Sequence, residues 1–362
     1  MIRLFSKFIK KPKSGEGAAS LSRFQSEFRS KYWVRDSGTS LPNMAVYDEM
    51  LLDPLIKSAL TVKKLGCLAT PWKIVPAKND SGQSDFIENM FSDMDGSVHG
   101  LLVDSLDALG KGFSVLEKIY VQNSIGQWLL HSAKPKDPAL FSFETDRFLN
   151  ILSLRLHLTG EEPQALPKDK FILFSHNQKY GAPEGESDLK SAYRHWKMKR
   201  ELVNQWAAHL EKFASPTVVG KFKRGMPEES QMSLLDSLDR LQRQSAVVHP
   251  DDVEVSLLDG SRGGQNGYSE AIDYHNREIA RAILGQTLTT EDSRRIGSLA
   301  LGKVHLQVLI MQLSGLRNSL SEKVMNEQVI RPIIEINFGR GNYPVFKFDE
   351  PELDVFRTGK VV

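Results

Sequence analysis

The sequence predicts an α+β fold, on three observations. Apolar residues recur at helical spacing in two stretches: Ile272, Ile279 and Ile283, then Leu299 through Leu306, Leu309, Leu313, Leu316 and Leu320 to Val324. Between Phe113 and Phe174, short β-like runs alternate with turn residues. A strand–helix–strand pattern over 217–258 is inserted between two helical segments.

In chain order, 1–43 reads as an N-terminal arm ending at Leu41-Pro42-Asn43. Its start, Met1 to Lys11, is basic and amphipathic without the apolar core of a signal peptide. A mobile arm is expected, with a surface-binding helix as the other reading. From Met44 to Leu68 the pattern is helical, and Asp53-Pro54 opens a second helix carrying Leu55, Ala59, Leu60 and Val62. Trp72–Pro76 reads as a short strand, and 85–94 and 98–109 as short helices. Gly110 and Gly112 break the helix before a strand at 113–121, with a hairpin partner at 127–133. Further strands are expected at 140–143, 151–158 and 171–174.

Ser187-Asp188 caps the next helix, whose stripe is Leu189, Tyr193, Trp196, Val203, Ala207 and Leu210; Ser215-Pro216 stops it. The insert then reads as a strand to Phe222, a turn at Arg224-Gly225, a helix opened by Pro227-Glu228-Glu229, and a strand from Val253. Its expected core is Val218, Val219, Phe222, Leu234, Leu238, Leu241, Val253, Val255 and Leu257. The stretch 261–267 is Gly-rich.

Composition narrows the function. The chain has 362 residues, 40% hydrophobic and 25% charged, with a formal net charge of +2. Proteins that coat nucleic acid carry a clear basic excess, so a monomeric DNA-binding factor, one alternative, fits poorly; a pore that lets DNA slide does not conflict. One cysteine, Cys67, excludes a disulfide within the chain and a Cys-based zinc site, and suits a reducing compartment. No apolar run reaches bilayer length.

Catalytic motifs fail on inspection. Gly297–Lys303 has P-loop spacing, which makes a nucleotide hydrolase the other alternative. Val304 stands where the metal-binding Ser or Thr belongs, and no strand precedes the run. Gly185-Glu186-Ser187-Asp188-Leu189 lacks the closing glycine of a nucleophile elbow. Asp93-Met94-Asp95-Gly96 starts like a calcium loop but lacks its glutamate. The nine histidines are scattered with no pair at metal-ligand spacing. No enzyme, cofactor or metal is expected. The basic run Lys190, Arg194, His195, Lys197, Lys199 and Arg200 reads as a solvated or subunit-facing helix, with DNA contact as the alternative.

The stretch 285–298 joins the two helical patterns. It has two glycines, several hydroxyls and the pair Arg294-Arg295, with few apolar residues, and reads as an exposed loop. The residues alone leave a solvated loop and phosphate contact equally open.

The run Ile283-Leu284-Gly285-Gln286-Thr287-Leu288-Thr289-Thr290, followed by Gly297-Ser298 and Leu299-Ala300, resembles portal proteins of Mu-like tailed phages. So do Trp72–Pro76, Gly112–Lys118, Lys212–Lys221, and Asn337-Phe338-Gly339 with Tyr343-Pro344, in the same chain order. The resemblance spans about 44–349 and implies a portal fold. Its parts would be a wing at 44–185, a stem helix at 186–213, a clip at 214–260, and a linker with a second stem helix at 261–284. A tunnel loop at 285–298 and a long wing helix with terminal strand at 299–349 follow. The tail 350–362 leaves at most a minimal crown. The resemblance further implies a ring homo-oligomer, dodecameric in the virion, that conducts double-stranded DNA at one capsid vertex. Its implied partners are the terminase large subunit, neck or adaptor proteins and the major capsid protein, with no membrane. In that setting Gln286, Thr287, Thr289, Thr290, Arg294 and Arg295 are expected to face DNA, with Gly285 and Gly297 as hinges.

Overall fold

The structure is a computed structural model that describes residues 44–78, 82–214, 217–221, 225–243, 254–258, 265–286 and 299–349. They form two compact units: residues up to Tyr193 together with those from Ala280 on, and Arg194–Ile279.

The first unit opens with α1 (Met44–Met50) and α2 (Pro54–Leu68). Asp53 caps α2, its side chain accepting from the N–H groups of Leu55 and Ile56. Burial follows Ile56, Ala59, Leu60, Lys63 and Cys67, whereas Val62 is exposed. The expected stripe was therefore one residue out of phase at Leu55 and Val62, and the true one contains a lysine. After β1 (Trp72–Val75) come α3 (Gln83–Asp93), α4 (Val98–Ser105) and the short α5 (Ala108–Lys111). The single helix expected over 98–109 is thus interrupted at Leu106-Asp107, and Gly110 lies inside α5. Gly112, at φ 95°, makes the break.

Strands β2 (Phe113–Gln122), β3 (Trp128–Lys136), β4 (Phe141–Thr145), β5 (Ile151–Leu156), β6 (Gln164–Pro167) and β7 (Phe171–Ser175) follow. They form two antiparallel sheets of order β3-β2-β7 and β4-β5-β6. β6 was not anticipated, because Gln164-Ala165-Leu166-Pro167 has one large apolar residue. Phe113, Val115, Leu154 and Phe171 form a core cluster on which Phe141 and Phe143 pack. The Phe113–Phe143 rings lie 4.9 Å apart and the Phe141–Phe171 rings 5.9 Å. Burying each such side chain contributes about 1.5–3 kcal/mol.

Helix α6 (Leu189–Ala214) runs from the first unit into the second. There β8 (Thr217–Lys221) and β9 (Glu254–Leu258) pair antiparallel, Val218 opposite Leu257 and Gly220 opposite Val255. Helix α7 (Glu228–Arg243) packs on β8. This is the expected strand–helix–strand order. Val219 is also on β8, Leu234 is half-buried on α7, and Leu238 and Leu241 belong to α7. Phe222 and Val253 lie outside the described residues. Helix α8 (Gln265–Leu284) returns to the first unit.

The last helical stretch has three consecutive segments: α9 (Leu299–Ser319), a π-helical segment (Leu320–Ile330) and α10 (Arg331–Phe338). Leu309, Leu313, Leu316, Leu320 and Val324 are buried, as their spacing predicts. α9 approaches α2 closely: a Cβ on Gly66 would sit 3.0 Å from Leu313 Cδ1. Arg317 donates to the Gly66 and Cys67 carbonyls at 3.3 and 3.4 Å, occupying acceptors left open in the last turn of α2. Burial pushes the Cys67 thiol up to about 12, which keeps it protonated and unreactive.

Three side-chain amides fasten the π-helical segment and α10 to strands. Asn326 both donates to and accepts from the Phe346 backbone on β10 (Val345–Phe348), at 3.1 and 2.7 Å; β10 pairs with β1. Gln328 does the same to Leu173 on edge strand β7, at 2.7 and 2.8 Å. Asn337 does it to Trp128 on β3, at 2.8 and 2.8 Å. Each amide supplies the donor–acceptor pair that a neighbouring strand would supply, which closes an exposed edge. Pro332 has no N–H for the Gln328 carbonyl, its α-helical acceptor; Lys118 Nζ donates to it instead at 3.1 Å. Gln328→Leu keeps the volume but strands both Leu173 backbone groups. It is expected to cost about 1–3 kcal/mol in chemical denaturation, while Gln328→Glu, which can only accept when ionised, loses less than Leu.

Candidate functional site

Of the stretch 285–298, Gly285 and Gln286 are described, and the fold concentrates buried charge beside the last turn of the helix before them. Lys63 lies on the buried face of α2. Its Nζ donates to Asp188 Oδ2 at 2.7 Å and to the Ile283 carbonyl at 3.0 Å. Asp188 is the residue before α6, and Ile283 belongs to the last turn of α8. One ammonium thus ties the beginning of the outgoing helix to the end of the returning one. A cation is favourable beside the carbonyls at a helix C-terminus.

The other carboxylate oxygen is also engaged. His176 Nε2 lies 2.9 Å from Asp188 Oδ1, and Asn177 Nδ2 donates to it at 3.4 Å. Side chains of Lys63, Asp188 and His176 are each 11% exposed or less. Burial works to raise the Asp188 carboxyl. The His176 hydrogen bond and the Lys63 charge outweigh it, and the net effect holds Asp188 below the ordinary carboxylate range. The sequence reading made Asp188 part of a helix cap. The hydroxyl of Ser187 takes that role, accepting from Leu189 N–H at 3.0 Å and donating to Gly110 O at 2.6 Å, which leaves the carboxylate for the ion cluster.

Backbone contacts hold this segment against β2 and β7. His176 N–H donates to Gly112 O at 2.8 Å, Glu186 N–H to His176 O at 2.7 Å, and Asp188 N–H to Leu109 O at 2.9 Å. Gly185, at φ 59°, lies so close that a Cβ would overlap the Gly112 and His176 carbonyl oxygens. The Gly112–Lys118 and Gly185–Leu189 runs meet at this point of the fold.

At the loop root, Gly285 N–H donates to Arg281 O at 2.9 Å with φ 69°, a left-handed residue closing α8. The side chain of Gln312, on α9, occupies the place where a Cβ on Gly285 would go. Gly285, expected to act as a hinge, is here a left-handed helix cap with the Gln312 side chain beside it. Gln286 was expected to face DNA, but it is 3% exposed and belongs to the packing at the root. Thr287, Thr289, Thr290, Arg294, Arg295 and Gly297 lie outside the described residues.

Elsewhere, Lys190 pairs with Glu186 at 2.8 Å and Arg200 lies over the Trp196 ring, so part of the basic run on α6 is engaged within the chain. Residues 299–303, the end of the P-loop-like run, open α9 and are helical. Among the described residues no group of three or more His, Cys, Asp or Glu could hold a metal ion, and no helix is long and apolar enough to cross a membrane.

Removing Lys63 leaves Asp188 buried without its cation. Lys63→Met is expected to destabilise by about 3–5 kcal/mol in chemical denaturation. The Asp188 pKa is lowered by folding, so its contribution is present above the ordinary carboxylate value of about 4 and is lost as pH falls through the folded value. Stability measured from pH 5 downward should therefore fall less steeply in Asp188→Asn than in the unaltered chain.

The family described as the portal protein of Mu bacteriophage matches residues 44–358. The portal protein of Escherichia phage Mu is 26% identical over 296 residues, covering 79% of this chain and 55% of that relative. The Mu-like prophage FluMu protein gp29 of Haemophilus influenzae is 24% identical over 323 residues, covering 85% and 60%. The chain thus spans somewhat over half the length of these curated relatives. Among solved structures, a chain from the neck of an empty GTA particle computed with C6 symmetry matches with TM-score 0.61 and 11% identity, over 87% of each chain. One from the neck of a native GTA particle computed with C12 symmetry matches with TM-score 0.58 and 12% identity, over 88% of this chain and 89% of that one. These likenesses establish a shared fold. On the family match over residues 44–358, the chain belongs to the family of Mu bacteriophage portal proteins.

Proposed function

We propose that copies of this chain close into a ring, a dodecamer in the virion, that forms the double-stranded DNA channel at one capsid vertex. The ring serves genome packaging, retention and ejection. It docks the terminase large subunit, the neck or adaptor proteins and the major capsid protein. It assembles in the host cytoplasm and is not itself an enzyme; a separate ATPase supplies the energy of translocation. In this reading 44–185 is the wing, 186–213 and 261–284 contain the stem helices, 214–260 is the clip and 299–349 the long wing helix.

One observation carries this reading within a chain of this family: α6 and α8, joined at the Lys63 bridge, lead out to a strand–helix–strand unit and back to a loop rooted at Gly285. The far half of α6 leaves Val203 and Leu210 exposed, although both lie on its predicted stripe. In a head-to-tail ring a neighbour can cover such a face. The C12 symmetry of the particle neck in which a chain of this fold is found supports the ring size.

The channel lining is then 287–296, the loop beyond its packed root. Arg294 and Arg295, repeated round the ring, give a local positive belt despite a net charge of only +2 per chain. Exposed charges are screened beyond about 10 Å at 0.1 M salt, so only DNA passing close feels the belt. The hydroxyls of Thr287, Thr289 and Thr290 touch phosphate without firm retention. Arg294→Glu combined with Arg295→Glu is expected to leave rings intact, read by native mass spectrometry, and to reduce packaged DNA at least tenfold. Normal packaging by the double variant would show that the loop does not contact DNA. Loss of rings would make the pair structural.

A further inference from the structure

We propose that His195 and His275 form a binding site for a divalent transition-metal ion of the zinc, nickel or copper type, clamping α6 to α8. The two residues are 80 positions apart in sequence and sit on different helices of the second unit. Their Nδ1 atoms lie 3.0 Å apart, with ring centroids at 5.3 Å. Two imidazole nitrogens at about 2.0–2.1 Å from one metal ion are separated by about 2.9 Å at a right angle and about 3.3 Å at the tetrahedral angle. The observed spacing falls inside that interval, so an ion would be seated with little movement of either helix.

The chemistry of the pair suits the ion. Without metal, a short Nδ1···Nδ1 contact requires one ring to donate N–H and the other to present a bare nitrogen. Binding leaves both rings neutral: the donating ring's proton moves from Nδ1 to Nε2, and both Nδ1 lone pairs turn to the metal. Burial first, then the nearby His195, hold His275 below the ordinary imidazole range, with Glu278 opposing. A neutral ring is the form that ligates a metal. Glu278, one turn further along α8, adds a negative charge that favours a cation. Tyr274 packs against both rings, at 6.0 Å from His195 and 5.2 Å from His275, and holds their orientation. No third His, Cys, Asp or Glu completes a ligand set among the described residues. Water fills the remaining positions, and imidazole-rich open sites of this kind favour copper, nickel and zinc.

The test uses the full chain, freed of metal by a chelator and titrated with Cu2+ and, separately, Zn2+. The expected result is one ion per chain at micromolar concentration, with a copper electron paramagnetic resonance spectrum showing coupling to two imidazole nitrogens. His195→Asn and His275→Asn should each weaken binding at least tenfold. His209→Asn should not, because His209 packs on Tyr268 outside the pair. The spectrum of the unaltered chain tests the site even where a variant does not fold. Absence of binding, a spectrum without imidazole nitrogen coupling, or equal binding by the His195 and His275 variants would overturn the proposal.

Discussion

The bridge from Lys63 to Asp188 and to the Ile283 carbonyl is the constraint on which the arrangement around the loop depends. It is a buried cation with one anionic and one dipolar acceptor, the first just before α6 and the second in the last turn of α8. Buried ion pairs add little net stability when intact, yet removing one partner is costly. The value of this one is positional: it fixes where α6 starts relative to where α8 ends. Gly285 and Gln286 follow Ile283 within three residues, so the loop root inherits that position. Gln312 fills the space beside Gly285 and carries the same constraint to α9.

The π-helical segment and α10 are held by a different kind of interaction. Asn326, Gln328 and Asn337 each bind both backbone groups of one strand residue, on β10, β7 and β3 respectively. Apolar packing lets a helix slide; paired amides fix it along its axis. Pro332 interrupts the helical ladder where Lys118 enters to reach the Gln328 carbonyl. Wide turns of this type often coincide with special roles in a helix, and here the departure from α-geometry contains Asn326 and Gln328, two of the side chains that tie the helix to strands.

Much of this architecture was legible in the sequence, because periodicity and turn residues report local structure. The Leu309–Val324 stripe, the Asp53 cap, the β2–β3 hairpin and the strand–helix–strand insert all follow from spacing alone. The buried cluster was not legible, because Asp188 and Ile283 lie 125 and 220 residues from Lys63 and only the fold brings them together. One signal existed: Lys63 shares a helical face with Ile56, Ala59, Leu60 and Cys67, and a lysine on an apolar face implies a buried partner. Asp188 was misjudged because a Ser-Asp pair before a helix has two candidate caps, and spacing does not say which one is used. The His195–His275 pair was invisible for the same reason as the cluster. β6 was missed because a Pro-ended edge segment with one large apolar residue carries no strand pattern.

The proposed ring assigns the residues after Gln286 to its centre. In that proposal Gly285 and Gln286, packed against the chain's own body, are not part of the channel lining. The most direct measurement is an electron cryomicroscopy reconstruction of the assembled chain. The account predicts a particle with one rotational axis in which 287–296 of every copy is the protein closest to that axis and Gln286 is withdrawn from it. A particle without a rotational axis, or a ring with this loop on its outer rim, would contradict it.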